Sequence, residues 1–580
     1  MNKLEDLGTI IDADVLVIGG GFAGTWAAIR AKDFADKVVL IDKAKVARSG
    51  CSTFAAGVQL CPTPDDDLDV WKKELVESGA YFPDQDWLDI YLQNQMERII
   101  DYERWGMHVE RDEKGKIARI RGRGHINTRL FQFHGPKLMQ VLREQAVKKG
   151  VKLVERVMVT DLIRSGALND SKSRIAGAVG FNTRTTDWQT FRAKATVLAT
   201  GPIFGKRNSQ VDNCTGDGVA AAFRVGAELT NLEFCTAGNI TVWERKGAVS
   251  GINMLQGHGA HFVNNRGERF MPKYDPVLME RSLLNVICLA FCKEALEGRG
   301  PLYVDMRHFP PEIFEKFKRV IPRTMTFWHE LGVDPSKQLI ECTPQWGVGG
   351  ASGQGGVKVN GKGKTNIAGL FAAGAVTRSL AQGIYAVGGV ATSSCNVMGY
   401  IAGENAASYA SDIKEVTIDP EQIKNIQEER SLPLHVKNGV QSSDLFKKLE
   451  KITTPAQYSM FKNERRITKV LSQIEKLKQD LPTIEASNAH ELTKANEFKN
   501  YLLCTELIFR GALERKESRH YHYREDYPYR DDMEWLKLIV FKKENEKIVI
   551  RYEPLPIDRW PVKPEQFVKT SHHVQMFIGE

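Results

Sequence analysis

The segment DADVLVIGGGFAGTWAAIRAKDF, followed by a second apolar run that ends in an acid, constrains this chain more than any other feature. Val15-Leu16-Val17-Ile18 reads as a buried strand, because consecutive apolar residues leave it no polar face. Gly19 to Gly24 form a glycine-rich turn, and Thr25 to Lys32 read as a helix. Val38 to Ile41 is a second buried strand, closed by Asp42. A strand–turn–helix–strand unit of this kind is the expected context for a dinucleotide. Gly19 permits the tight turn, Gly21 lets a pyrophosphate approach the backbone, and Gly24 allows close helix–strand packing. Unpaired N–H groups and the dipole at the helix start favour the anion. Asp42 is placed to accept hydrogen bonds from ribose hydroxyls.

Further strands extend this unit. Residues 84–109 and 136–150 carry helical spacing, and KLVERVMVTDLI and RIAGAVGFNT read as β-rich. KATVLATG from Lys194 is another buried strand that meets a glycine, and the pattern returns at NIAGLFAAG from Asn366. The predicted fold is α/β: a Rossmann-like dinucleotide-binding domain over 1–235 and 345–418, interrupted by an α+β capping domain over 236–344. Charged, helically periodic segments from Asp419 predict a helical bundle domain over 419–535. A tail over 536–580 contains a hairpin around an Asn-rich turn. No stretch reaches the eighteen or so apolar residues of a membrane span, and MNKLEDLGTI does not read as a signal peptide.

The nine cysteines include no C-x-x-C pair. With no secretion signal they are expected to be reduced thiols, which argues against an iron–sulfur cluster or zinc held by this chain alone. Cys288 and Cys292, four apart on a predicted helix, read as core. The net charge of +8 is mild for 580 residues. Basic residues are interspersed with acids, so no nucleic-acid partner is expected. The expected location is the cytoplasm, or the cytoplasmic membrane surface through a partner.

VLATG at 197–201, CTGDGVAAAFRVGAEL at 214–229, GERF at 267–270, LYVDMRHF at 302–309, GLFAAGAV at 369–376 and RKESRHYHYREDYPYRDDMEW at 515–535 follow in order along the chain. Together they resemble the succinate dehydrogenase/fumarate reductase flavoprotein family, whose relatives include adenylylsulfate reductase α subunits and L-aspartate oxidases. The resemblance implies FAD, held by Gly19, Gly21, Gly24, Asp42, Lys43, Ser49, Gly57, Thr200, Gly201, Asp217 and Gly374. Succinate dehydrogenases have Arg-Ser-His where this chain has Arg48-Ser49-Gly50. Without that histidine FAD is expected to be noncovalent, closer to the adenylylsulfate reductase pattern.

The resemblance breaks at the substrate. Arg281 falls at the family's acid/base, and an arginine in that role needs a pocket and charged neighbours. The family's relay glutamate and arginine fall at Asn253 and Gln256. Its substrate histidine falls at Gln345, and its arginine clamp falls at Ala386. A bidentate arginine is among the strongest carboxylate contacts, and alanine cannot supply it. Fumarate and succinate are therefore poor candidates, and the expected pocket is Gln345 with the aromatic surface of Trp346 and Tyr385. His258 is a candidate for the missing acid. His261, and His125 with Arg129, are further candidates of the same kind.

The function that follows is an FAD-dependent oxidoreductase subunit. It would exchange electrons between a small-molecule substrate and a separate iron–sulfur or ferredoxin-like chain. Two alternatives stay open: a flavin-bearing relay subunit with no substrate site, and a stand-alone flavin oxidase or reductase.

Overall fold

The computed structural model describes residues 4–55, 57–166, 173–205, 211–235, 240–242, 252–344, 354–384, 387–567 and 569–570. Its centre is a sheet of seven strands among the described residues, built around Thr9–Ile18. Val38–Asp42 lies on one side of that strand and Trp188–Leu198 on the other, both parallel to it. Lys152–Glu155 extends the parallel edge beyond Val38–Asp42. Ile175–Asn182 and Val157–Arg164 continue the other side as antiparallel strands. Leu370–Ala372 pairs in parallel with Thr196–Leu198, so the chain returns to its first sheet after the intervening residues.

The sheet is covered by helices whose small residues let backbones approach. Val390–Ser411 crosses Phe22–Ala31, the helix that follows the glycine turn. A Cβ on Gly399 would lie 2.3 Å from the Ala23 carbonyl oxygen, and one on Gly403 would lie 2.2 Å from that of Ala27. Gln85–Arg104 and Gly135–Lys148 are the two helices expected near 84–109 and 136–150. The first ends five residues early, where Gly106 has a left-handed φ of +91° that only glycine adopts cheaply.

The inserted residues form a sheet in the order Ile240–Val242, Ile340–Pro344, Leu302–Asp305, His261–Val263. Helix Leu284–Leu296 packs on it, with Cys288 and Cys292 buried in the core. The helical segments after Asp419 include Pro420–Ser431, Ser442–Thr453, Glu464–Gln479 and Ala489–Glu514.

The hairpin in the tail is Lys537–Glu544 with Lys547–Pro554, turning at Asn545 and Glu546, both with left-handed φ. It is not an appendage. Leu229 and Thr230 pair with Phe541 and Val540, and also with Val357 and Gly356. The C-terminal residues thus share one sheet with both segments of the dinucleotide-binding part. The RKESRHYHYRED segment stands beside it as a buried ion-pair network. Arg515 bonds Glu233 and Glu517 at 2.8 Å each, and Arg519 bonds Glu517 and Asp532 at 2.8 Å each. Arg519 also donates to the Ala80 carbonyl at 3.0 Å. These side chains are fully buried, so each charge requires a partner.

Candidate flavin and substrate site

Strand ends converge on one edge of the central sheet. Ile18, Asp42, Leu198 and Ala372 terminate four strands there, and Gly19, Gly201 and Gly374 follow three of them. Ligands of open α/β sheets bind outside the carboxyl ends of the strands. A Cβ on Gly19 would lie 2.3 Å from the Ala199 carbonyl oxygen, and one on Gly24 would lie 1.7 Å from that of Gly19. Gly374, in the returning segment, comes so close to the first helix that a Cβ there would lie 2.6 Å from the Ala23 Cβ.

Asp42 organises the rim of this cradle. Its Oδ2 accepts the Gly20 N–H at 2.9 Å, and its Oδ1 accepts the Ala44 N–H at 2.8 Å and the Ser49 hydroxyl at 3.2 Å. Burial pushes its carboxyl above the usual range despite these bonds. Ser52 accepts the Phe22 N–H at 3.0 Å and so satisfies one of the donors at the helix start. Sequence reasoning passed over Ser52; its signal is a hydroxyl two residues after the Arg-Ser-Gly motif. The Gly57 carbonyl accepts the Phe133 N–H at 2.8 Å, and Gly57 and Gly201 both have left-handed φ. Thr200 Oγ1 is buried with no hydrogen-bond partner among the described residues.

Lys43 and Asp217 bond to each other. Lys43 Nζ lies 2.7 Å from Asp217 Oδ2 and 2.5 Å from Glu497 Oε1, which belongs to the helix Ala489–Glu514. Asn500 of the same helix and Thr215 donate to Asp217 Oδ1 at 2.9 and 3.0 Å. Burial alone would raise the Asp217 carboxyl, but the Lys43 ammonium and these bonds hold it below the usual range. Glu497 and Asn500 were not foreseen, because a charged helix late in the chain reads as a solvated face.

Arg281 closes a short turn, Met279–Arg281, and its guanidinium is exposed with no bond to any described residue. Its backbone is fixed from three sides. The Gly124 N–H donates to the Arg281 carbonyl at 2.6 Å. Gln256 Nε2 donates to the Glu280 carbonyl at 2.8 Å. Glu280 is buried against Arg269 of the GERF motif, with contacts of 2.9 and 2.6 Å. His125 sits one residue beyond Gly124, fully buried, its Nε2 2.7 Å from the Gly388 carbonyl. Arg129 donates to the carbonyls of Ile126, Asn127 and Thr128 within its own loop. His258 packs edge-on against Phe317 at 5.4 Å. Burial, with Lys316 nearby, lowers its pKa to about 4, so its imidazole is neutral. His261 stacks on His308 at 4.2 Å.

A model of an FAD binding domain matches residues 14–392, and one of the fumarate reductase flavoprotein C-terminus matches 447–568. The chain belongs to the succinate dehydrogenase/fumarate reductase flavoprotein family. It is 30% identical to an uncharacterized FAD-dependent oxidoreductase of Methanocaldococcus jannaschii, over 91% of this chain and 96% of that one. It is 28% identical to a chain of the fumarate reductase (CoM/CoB) of Methanothermobacter marburgensis, over 93% and 98%. The fold matches a variant of the E. coli quinol fumarate reductase flavoprotein with a TM-score of 0.84, at 22% identity over 96% and 99%. It matches adenosine-5-phosphosulfate reductase with a TM-score of 0.79, at 22% identity over 98% and 99%.

As a member of this family the chain is an FAD-dependent oxidoreductase. The residues present fit the cofactor. The glycine cradle leaves no room for side chains, Asp42 retains acceptor capacity, and the buried Thr200 hydroxyl has no partner among the described residues. Gly50, at the family's linking histidine, has open space around it. On the substrate side, Gln345, Trp346, Tyr385 and Ala386 lie outside the described residues, as does the Asn253 side chain.

Proposed function

We propose that this chain is the flavoprotein subunit of an electron-transfer complex and works on a small-molecule substrate other than fumarate or succinate. FAD would be held noncovalently by Gly19, Gly21, Gly24, Asp42, Ser49, Gly57, Thr200, Gly201 and Gly374, with Lys43 and Asp217 at its flank. FAD supplies hydride or two-electron chemistry when bound. Arg281, exposed and bonded to no described residue, handles the substrate proton, and His258, Gln345, Trp346 and Tyr385 contribute to the pocket. An iron–sulfur chain carries the electrons onward, in the cytoplasm or at the membrane face. No helix among the described residues is long and apolar enough to cross a membrane.

The observation that carries the specificity is Gln256. It stands at the family's relay arginine, and its amide N–H is committed to the Glu280 carbonyl. A neutral amide held in that way orients the Arg281 turn and passes no proton. With Gln345 and Ala386 in place of cationic clamps, two charge-assisted bonds to carboxylates are lost, about 1.5–3 kcal/mol each. Dicarboxylate binding weakens by roughly a hundredfold or more. The relative named as a fumarate reductase makes fumarate the comparison that matters. The test is purification with native partners, identification of any co-purifying iron–sulfur chain, and stopped-flow reduction or reoxidation of the flavin by candidate substrates. Rapid turnover with fumarate or succinate would overturn the specificity. Absence of an iron–sulfur partner, with fast reaction toward oxygen, would favour a stand-alone oxidase.

A further inference from the structure

Cys51 and Cys214 lie 163 residues apart in sequence, yet their sulfur atoms are 3.9 Å apart. Cys51 follows Gly50 and precedes Ser52, which accepts an N–H of the helix at the glycine turn. Cys214 lies in the segment leading to Asp217, and its carbonyl accepts the Phe204 N–H at 2.8 Å. Its sulfur would lie 3.4 Å from a Cβ on Gly201. The two thiols thus meet beside the cradle, on two segments that both border it.

Their environments differ in the sense that thiol exchange requires. Cys51 is half-buried and Cys214 is 5% exposed. Contact with the Cys51 thiol, assisted by the Lys43 ammonium against the effect of burial, holds the Cys214 pKa down. The Cys51 thiol is pushed well up by its bond to Cys214 and by burial. Of the nine cysteines, all described, Cys214 is the one lowered; the others are raised.

We propose that Cys51 and Cys214 form a redox-active dithiol/disulfide pair, a second two-electron site beside the flavin cradle, whose exchange partner is a low-molecular-weight thiol or its disulfide. In the oxidised pair the incoming thiolate meets Cys51, the more exposed residue of the two. A bond forms between it and Cys51, the Cys51–Cys214 bond breaks, and Cys214 leaves as the thiolate. A leaving thiol of low pKa departs fastest. A second thiolate attacks the external sulfur of the mixed disulfide, and Cys51 leaves in turn. The two protons released when the external thiols ionised return to Cys51 and Cys214 through solvent. Two external thiols are oxidised to one disulfide, and the protein disulfide is reduced by the same two electrons. The reverse sequence reoxidises the pair.

The FAD-loaded protein is equilibrated with oxidised or reduced dithiothreitol, quenched in acid, alkylated under denaturing conditions and mapped by mass spectrometry. The oxidised sample should lose two of its nine alkylatable thiols and yield a Cys51–Cys214 linked peptide, and reduced dithiothreitol should restore both. In reductive titration, the oxidised wild type should take up about two electrons per flavin more than Cys51→Ser or Cys214→Ser, because a dithiol couple carries two. Should one variant fail to fold, the other and the wild-type map decide. Nine reactive thiols after oxidation, a link between other cysteines, or equal electron uptake in wild type and variant would each overturn the proposal.

Discussion

Lys43 Nζ lies 2.7 Å from Asp217 Oδ2, joining the end of the second strand to the first turn of the helix Asp217–Arg224. Glu497, 2.5 Å from the same ammonium, adds the helical unit. Three parts of the chain meet at one cation. The Lys43 side chain is 16% exposed and its partners less so, so the charges require one another. Lys43→Ala removes the ammonium that two buried carboxylates share and should cost about 3–5 kcal/mol in urea unfolding. The Asp217 carboxyl is lowered in the folded protein, so its contribution is full above the ordinary aspartate range and disappears as pH falls through the folded value. Removing Lys43 should shift acid unfolding to higher pH. A variant as stable as wild type, with an unchanged acid limb, would show that the cluster holds nothing together.

The cradle predicts a contrast between two glycines. A Cβ on Gly21 would lie 2.9 Å from Ser52 Oγ, the acceptor of the Phe22 N–H. Gly21→Val should displace that hydroxyl and fill the approach to the backbone, with FAD affinity falling at least tenfold. Gly50 has open space around it and φ +77°. Gly50→Ala therefore carries backbone strain of about 1 kcal/mol without a clash, and should keep its flavin. Acid denaturation should release all flavin from wild type. Flavin left on the polypeptide, or full FAD content in Gly21→Val, would contradict this account.

Lys462 gives a pH signature in the C-terminal part. It is fully buried, donating to the Ser459 and Tyr521 carbonyls at 3.0 and 3.3 Å. Burial, with Arg524 nearby, lowers its pKa from 10.5 to about 7. Between those values the unfolded chain holds a proton that the folded protein lacks, so stability from this group rises with pH. The stability of wild type relative to Lys462→Met should rise by up to about 1.4 kcal/mol per pH unit from pH 7 to 9. Urea titrations at matched ionic strength measure it. A flat difference would place the Lys462 pKa outside this window.

Much of the architecture is legible because burial writes a pattern into the chain. Val15 to Ile18 and Val38 to Ile41 are apolar throughout, as strands covered on both faces must be. Asn545 marks the hairpin because its turn needs left-handed residues. The docking of that hairpin on Leu229 and Thr230 was not legible, since a two-residue strand has no periodicity and its partner is some three hundred residues away. Charge misleads in the same region. Arg515, Glu517 and Arg519 read only as part of a family signature, yet all are fully buried. Charge suggests exposure until partners are known, and the partners Glu233 and Asp532 come from separate elements. The same limit hid Glu497, whose role depends on Lys43 in the first unit.

The last prediction concerns chemistry at Arg281. The turn that bears it is held by the Gly124 N–H on its carbonyl, and by Gln256 and Arg269 on Glu280. That framework fixes the backbone and leaves the guanidinium exposed. If Arg281 transfers the substrate proton, Arg281→Lys should lower turnover with the native substrate by on the order of 10²-fold or more, the usual scale of acid–base catalysis. FAD content and urea stability should stay unchanged, because the side chain bonds to no described residue and the backbone contacts survive. Lysine neither reaches as far nor presents the same fork of donors, so it cannot stand in. Gln256→Leu separates framework from chemistry. It removes the amide bond to the Glu280 carbonyl, loosening the turn, and should lower turnover less than Arg281→Lys while leaving the pH–rate profile in place. Full activity in Arg281→Lys would remove this arginine from the mechanism and favour a chain that relays electrons without a substrate of its own.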